Sequence, residues 1–470
     1  MIRLRDRNLP APDVAELPPP IRLRSMLGPG VILLGLSIGS GEFILWPRLT
    51  AEWGFALFWA AMVGVTIQFF LNMEIERYTL ATGESAVTGF FRLGRLFGPV
   101  FLVCAILPWI WPGWATGAAE ILSWEIGGSP RVFAVVGLIA CGLVLSLGPV
   151  VYRTVESIQL VLVSVIFLLL LVLVCFVVRW DSIRAMLDGL GNFGNVPADI
   201  DMPMLLGALA FAGAGGTANL AQSNYIKDKG YGMGKWIGRI TSPLTGQDEA
   251  VSDVGYVFEP TPENLARWRV WWRRANIEHG LSFYLLCALS LALFCLVTHA
   301  LLGDGAQVPE GLGFVQMQAE QLEQRFGPGT AHLLLWTGII VLLTTEVGIL
   351  DAVTRVASDV IKDSFLRDRD DWTNSRIYFL VLWGIIVCGV VILISSAEWS
   401  QPMVLIVTSA SLNAVVMFLY SGLLLWLGMT SFHGPLRPSP LRIGALCVSF
   451  AFFGYFSYIT ILDRIANWTG

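Results

Sequence analysis

The feature that most constrains this chain is the run from Ile158 to Val178, which contains no charged residue. A bilayer core takes about 20 apolar residues per helical crossing. Comparable runs recur along the sequence. Charged residues make up 14% of the chain and apolar residues 55%, where soluble domains carry roughly 25% charged residues. So little charge cannot cover the water-facing surface of a 470-residue soluble protein. The sequence therefore predicts an all-α integral membrane protein of about 11 transmembrane helices.

The expected spans are residues 28–47, 54–75, 97–122, 131–150, 155–178, 203–225, 277–301, 330–360, 376–395, 402–428 and 441–463. Residues 1–26 hold Arg3, Arg5, Arg7, Arg22 and Arg24 and then Pro18-Pro19-Pro20, with no apolar stretch of the kind a signal peptide needs. They read as a flexible cytoplasmic tail. Residues 27–465 read as one transmembrane domain.

Orientation follows from Lys and Arg, which concentrate in cytoplasmic segments. With the N-terminus inside, 24 of the 30 Lys and Arg residues fall on the inner side. Only Arg48, Arg131, Arg179, Arg184, Arg325 and Arg464 fall outside. An odd span count then puts the C-terminus outside. The expected location is the cell (plasma) membrane, with the lipid bilayer as the principal partner.

Composition and motifs exclude other classes. The basic residues are scattered over short loops, so no nucleic-acid surface is expected. The seven cysteines lie in apolar runs without a C-x-x-C pair and read as small hydrophobes. The four histidines, His279, His299, His332 and His433, lie near expected span ends or loops and form no H-E-x-x-H. No P-loop or nucleophile elbow is present. The chain is read as no enzyme, with no cofactor and no resident metal.

The longest inner loop, about Lys227 to Ala275, carries Arg267-Trp268-Arg269 and Trp271-Trp272-Arg273-Arg274. Alternating Trp and Arg suit a helix in the headgroup layer. It is either a juxtamembrane anchor or a gate or lipid sensor, and the anchor is the commoner use of this pattern.

Two spans are interrupted in their pattern. Span one contains Gly35, then Ser37-Ile38-Gly39-Ser40-Gly41-Glu42. Span six contains Gly207, then Ala212-Gly213-Ala214-Gly215-Gly216-Thr217-Ala218-Asn219. A glycine costs about 1 kcal/mol relative to alanine inside a helix, so such clusters favour unwinding. Unwound backbone survives at membrane depth only where it lines a cavity or site. Spans one and six are equivalent positions in two five-helix repeats of opposite topology, and inverted-repeat transporters place substrate between two such broken helices. Glycine stripes that merely let helices pack closely are the structural alternative.

Intramembrane carboxylates are functional candidates by default. Glu42 and Glu120 lie within spans and have no adjacent cation in sequence. Glu74 and Glu76 lie near Arg77 and read as paired or snorkelling groups. Glu346 lies in span eight, where Asp351 and Arg355 are four residues apart and share a helix face.

Gly28-Pro29-Gly30 before a broken span, Gln68, Arg77, Thr82-Gly83 and the run Ala115-Thr116 through Glu120 resemble the Nramp-type divalent-metal transporters. That resemblance implies the LeuT-type inverted-repeat fold. Repeat one would cover about residues 27–180 and repeat two about 200–428, with an extra helix at 441–463. The family's metal motifs are absent. Its span-one Asp-Pro-Gly-Asn falls on Gly39-Ser40-Gly41-Glu42, and its span-six Met-Pro-His-Asn falls on Gly216-Thr217-Ala218-Asn219. Its second span-six His falls on Ser223, its span-three Asp near Thr116 or Gly117, and its span-ten Gln near Ala410.

Transition metals want imidazole or sulfur ligands, and hard cations want several oxygens. A site that lacks Asp, Asn and Met together suits neither manganese nor iron. Half-helix N-termini carry unpaired N–H groups and a partial positive charge, and hold anionic groups in related folds. The expectation is therefore a secondary transporter of a small inorganic anion, bicarbonate, with H⁺ or Na⁺ as coupling ion. Its substrate residues would be Gly39, Ser40, Gly41, Glu42, Gly215, Gly216, Thr217 and Asn219, with Glu42 and Glu120 coupling or gating. The alternative is a divalent-cation transporter, for Mg²⁺ or Mn²⁺, that uses Glu42. A membrane sensor without transport is a third class, for which the sequence offers no signalling domain.

Overall fold

Long apolar segments become long helices because the bilayer leaves backbone groups no partner but the helix itself. A computed structural model describes residues 2–242, 252, 254–369, 371–395 and 401–469, with Ser40 and residues 463–469 described in backbone only. Among them, nine helices are long and apolar enough to cross a membrane. They are Pro29–Trp53, Phe58–Thr82, Pro130–Leu147, Val151–Val177, Pro262–Leu302, Pro328–Phe365, Asn374–Ser395, Pro402–Ser431 and Pro440–Leu462. These match expected spans one, two, four, five and seven to eleven.

The other two expected spans are built in pieces. Span six runs Met202–Ala210, breaks at Phe211–Gly215, and resumes as Gly216–Leu220 and Gln222–Lys229. This is the unwinding that the glycines predict. Span three was expected as one helix over 97–122. It is instead Phe97–Ile106 and Gly113–Ile126, joined by a non-helical stretch. Pro108 and Pro112 supply the reason, because each lacks an N–H and clashes with the preceding turn.

Span one is also interrupted, but in a different form from the one expected. It does not unwind. Pro29–Ser37 is α-helical, Ile38–Leu45 is π-helical, and Trp46–Trp53 is α-helical again. The glycine cluster is relieved by widening the turn rather than by opening it. π-turns are rare and frequently mark functional positions.

The Trp/Arg segment is helical, and it is continuous with span seven. The helix Pro262–His279 runs on through a π-turn, Gly280–Leu285, into span seven, so that one 41-residue helix leads from loop to membrane. Thr261 caps it by accepting the Asn264 N–H at 3.2 Å. Trp268 and Trp271 are buried, and what buries them includes the N-terminal tail.

That tail is not a free segment. Asp13–Val14 pairs in parallel with Tyr256–Val257. The Trp271 indole donates to the Pro18 carbonyl at 2.8 Å, and Arg267 and Arg274 donate to Leu17 and Pro20 carbonyls at 2.7 and 3.0 Å. Further along, Asn8 donates to the Phe91 carbonyl at 2.8 Å, and Arg92, bound to Glu84, donates to the Arg5 carbonyl at 2.8 Å. Leu9 and Leu17 are buried beneath these bonds. A proline-rich strand offers bare carbonyls, and the Arg and Trp donors of the span-seven helix satisfy them.

Segments assigned by charge to one side meet one another. The tail bridges to Phe432 at Ile2, Arg77 donates to the Leu436 carbonyl, and Thr88 donates to Asp363. On the opposite face Arg48 bonds the 309–311 turn and His332 pairs with Glu125.

Candidate functional site

The break in span six is held open by two consecutive glycines in the left-handed region, Gly215 at φ 74° and Gly216 at φ 49°. Only glycine takes that conformation without strain. A break leaves orphan groups on both sides: the last carbonyls of the first half and the first N–H groups of the second. Gln68 of span two serves both. Its Nε2 donates to the Ala210 carbonyl at 2.9 Å, and its Oε1 accepts the Gly215 N–H at 3.1 Å. The same Oε1 accepts Asn219 Nδ2 at 3.1 Å. Asn219 Nδ2 also donates to the Tyr420 hydroxyl of span ten at 3.0 Å.

Span three closes one side. The Trp109 indole N–H, from the non-helical stretch between the two halves of the span, donates to Thr217 Oγ1 at 2.7 Å. Trp109 stacks on Phe211 and on Trp114 at centroid separations of 5.5 and 5.6 Å. Three aromatic rings thus sit against the broken backbone. Span ten closes another side. Gly216 leaves no room for a side chain because Asn413 packs directly against its Cα. Asn413 Nδ2 donates to Ser409, while its buried Oδ1 has no partner. The buried Asn219 Oδ1 is likewise unpartnered.

Of the span-one candidates, Gly41 packs against the Phe211 carbonyl, where a Cβ would collide with the break. Gly39 faces Thr345 of span eight instead. The side chain of Ser40 lies outside the described residues. Glu42 is fully buried and turned towards span seven. Its Oε1 accepts Ser37 Oγ at 2.6 Å, Ser290 and Cys287 lie beside it, and its Oε2 has no hydrogen-bond partner. No salt bridge to Glu42 occurs among the described residues.

The structure therefore brings Gly41, Gly215, Gly216, Thr217 and Asn219 together and directs Gly39 and Glu42 to neighbouring interfaces. Glu120 is half-buried on the second half of span three, and among the described residues no hydrogen bond or salt bridge joins it to the break. Glu346 has a structural task. Its Oε2 accepts the Ala115 N–H at 3.2 Å and caps the helix that restarts after the span-three break. Asp351 and Arg355 form the expected pair at 2.9 Å, extended by Asp228 from the end of span six at 2.5 Å.

Trp109 and Asn413 were missed in the sequence. Pro108-Trp109-Ile110-Trp111-Pro112 carries a signal for the first, since two prolines four apart inside an apolar span open it. Asn413 lies three residues beyond Ala410, almost one helical turn, and the single sequence offers no reason to prefer it.

The fold has relatives among solved structures. A manganese transporter of Eremococcus coleocola, as a histidine-to-alanine variant, superposes with a TM-score of 0.71 at 15% identity over 98% of this chain and 91% of that one. A glutamate-to-alanine variant of that transporter gives 0.71 at 14% identity, with the same coverage. A transporter of the nucleobase-cation-symport-1 family, closed over bromovinylhydantoin, gives 0.55 at 13% identity over 94% and 92%. The chain shares their all-α membrane fold. No family profile and no curated protein matches the sequence.

Proposed function

We propose that this protein is a secondary transporter of a small inorganic anion, bicarbonate, that works by alternating access at the span-six break. The observation that carries the reading is the chemistry around that break. Gln68, Trp109, Thr217, Asn219 and Asn413 present amide, indole and hydroxyl groups, all neutral. Glu42, the carboxylate nearest in sequence to the span-one part of the site, is turned away towards span seven. An anion is held by N–H and O–H donors, and carboxylates near it repel it.

Gln68 gives the reading a mechanism. Its carbonyl oxygen occupies the position facing the Gly215 N–H and Asn219 Nδ2 where an oxygen of the anion would sit. Substrate would displace that oxygen and take over both donors, which releases span two from the second half of span six while Gln68 Nε2 keeps the Ala210 carbonyl. The exchange of one acceptor for another keeps the buried donors satisfied throughout. Glu42 is the gating carboxylate in this reading, in preference to Glu120, because it lies in the π-helical segment of span one.

A specific observation favours the second reading, transport of a hard divalent cation. Glu42 Oε2 is buried and unpartnered, and Mg²⁺ keeps most of its waters and needs only one or two carboxylates. The deciding experiment is uptake of labelled bicarbonate into proteoliposomes at alkaline pH, beside Mn²⁺ and Mg²⁺ in one preparation. Saturable bicarbonate uptake without metal uptake is the expected result. Metal uptake without bicarbonate uptake overturns the anion reading.

A further inference from the structure

Away from the break, a second polar cluster lies buried between spans two, six and seven. Glu76 is 1% exposed, and Gln222 and His279 are 0% exposed. Gln222 stands between the other two. Its Nε2 donates to Glu76 Oε2 at 3.1 Å and lies 3.4 Å from His279 Nδ1. The imidazole is stacked between Phe69 and Phe283, at centroid separations of 5.9 and 4.7 Å. Two atoms here have no partner although fully buried: Gln222 Oε1 and His279 Nε2. Buried polar atoms without partners carry a cost of about 1–3 kcal/mol each, so their retention asks for a task.

The charges around Glu76 do not supply a partner. On its own helix, Arg77 is committed to Glu74 at 2.8 Å. From span eleven, Arg442 pairs with Glu74 at 3.1 Å and with Asn276. From the span-seven helix, Glu278 adds a second carboxylate, bonded by Ser282 Oγ at 2.8 Å. Tyr231, from the loop after span six, donates to the Met26 carbonyl. Among the described residues no salt bridge to Glu76 occurs.

We propose that Glu76, Gln222 and His279 form a proton-binding site between spans two, six and seven, which drives the movement of span one against span six. The step is a proton transfer alone. The Glu76 carboxylate gains one proton and turns from acceptor to donor, and no bond between heavy atoms changes. With Glu76 ionised, Gln222 presents its amide N–H groups to Glu76 and to His279 Nδ1. With Glu76 protonated, the unpartnered Gln222 Oε1 turns to accept from it. The imidazole, which offers either a donor or an acceptor at each nitrogen, follows that turn.

The cluster includes a residue of span six and adjoins the start of span one through the span-seven helix. Gln222 begins the last segment of span six. Glu278 and Ser282 pack against Gly30 at the start of span one, where a Cβ would strike them. Protonation therefore acts directly on span six at Gln222, and on span one through the span-seven helix that carries His279, Glu278 and Ser282. The coupling half of this inference rests on the transport reading above, while the proton site itself does not.

The test has two arms, both on the full chain in liposomes. The first is infrared difference spectroscopy after a pH jump, with no substrate present. A protonated-carboxyl C=O band that is lost in Glu76→Gln, shifted in Gln222→Leu and His279→Asn, and retained in Glu120→Gln is the expected result. A band unchanged in Glu76→Gln and in both neighbouring variants overturns the site. The second arm compares bicarbonate accumulation driven by a proton gradient with gradient-free counterflow. In Glu76→Gln, driven accumulation should fall roughly tenfold while counterflow persists, a coupling of ordinary size. Wild-type accumulation in that variant overturns the coupling. Absence of counterflow in the wild-type protein overturns the transport reading instead, and the spectroscopic arm still decides the proton site.

Discussion

Gln68 holds both ends of the broken span six: its amide nitrogen meets the Ala210 carbonyl at 2.9 Å, and its amide oxygen meets the Gly215 N–H at 3.1 Å. One side chain from span two thus replaces the two backbone partners that the break removes. The arrangement explains how an unwound segment with glycines at φ 74° and 49° persists where the backbone is buried.

Gln68→Leu keeps the volume and removes all three bonds, the one from Asn219 Nδ2 included. It orphans a buried carbonyl and a buried N–H, each worth about 1–3 kcal/mol. The variant should melt several degrees lower in detergent and lose most uptake. Gln68→Glu keeps an acceptor for Gly215 but loses the donor to Ala210, and places a charge where an anion is expected. It should therefore be the worse transporter for an anion and the better one for a cation. A Gln68→Leu protein that melts and transports like wild type would refute the bridging role.

Arg355 is fully buried between Asp351 of its own helix and Asp228 at the end of span six. Breaking a buried pair by removing one partner costs about 3–5 kcal/mol, because the other charge is stranded. Arg355→Met should be strongly destabilising. The triple variant Arg355→Met, Asp351→Asn, Asp228→Asn removes every stranded charge and should recover a large part of that loss. Thermal melting of the two proteins checks this, and a triple variant no better than the single one would show that the ion pairs are not the cause.

The contrast between these two sites shows what the sequence could disclose. Asp351 and Arg355 sit four apart on one helix, so helical geometry alone pairs them. Asp228 joins from more than a hundred residues away, and nothing local announces it. The glycines of span six predict unwinding and obtain it, because Gln68 is at hand to satisfy the break. The glycines of span one resemble them in sequence but produce a π-helix, because that widened turn keeps its backbone bonds internal. Which of the two outcomes occurs is decided by neighbours. The same holds for Glu42, whose direction towards Ser290 and Cys287 depends on span seven. The tail is the clearest case. Its prolines and arginines read as free chain until Trp271 and Arg274 are seen to bind its carbonyls.

The tail contacts also test the orientation given by the 24 basic residues on one side. Trypsin should cut at Arg22 and Arg24 slowly in the wild-type protein and faster in Trp271→Phe, which loses the bond to the Pro18 carbonyl. A bond of that kind is worth about 0.5–1.5 kcal/mol, so local opening should increase by roughly two- to tenfold. In oriented membrane vesicles, cleavage should occur only from the cytoplasmic side. Cleavage from the outer side alone would invert the topology.

Glu42 separates the two substrate readings. It is buried, bonded to Ser37 at 2.6 Å, and free of salt bridges among the described residues. If it ligates a divalent cation, Glu42→Gln removes the one formal negative charge of the site. Cation uptake should then fall by about a hundredfold or more, since hard cations depend on anionic oxygen. If the substrate is an anion, the same change removes a carboxylate that faces span seven and touches no group at the break. Bicarbonate counterflow should then stay within about threefold of wild type, which is the effect expected of a contact that does not involve substrate. Its dependence on pH should flatten, because one titrating group of span one is gone. Counterflow abolished together with its pH dependence would place Glu42 in contact with the substrate, and the anion reading would then fail on the charge of that carboxylate.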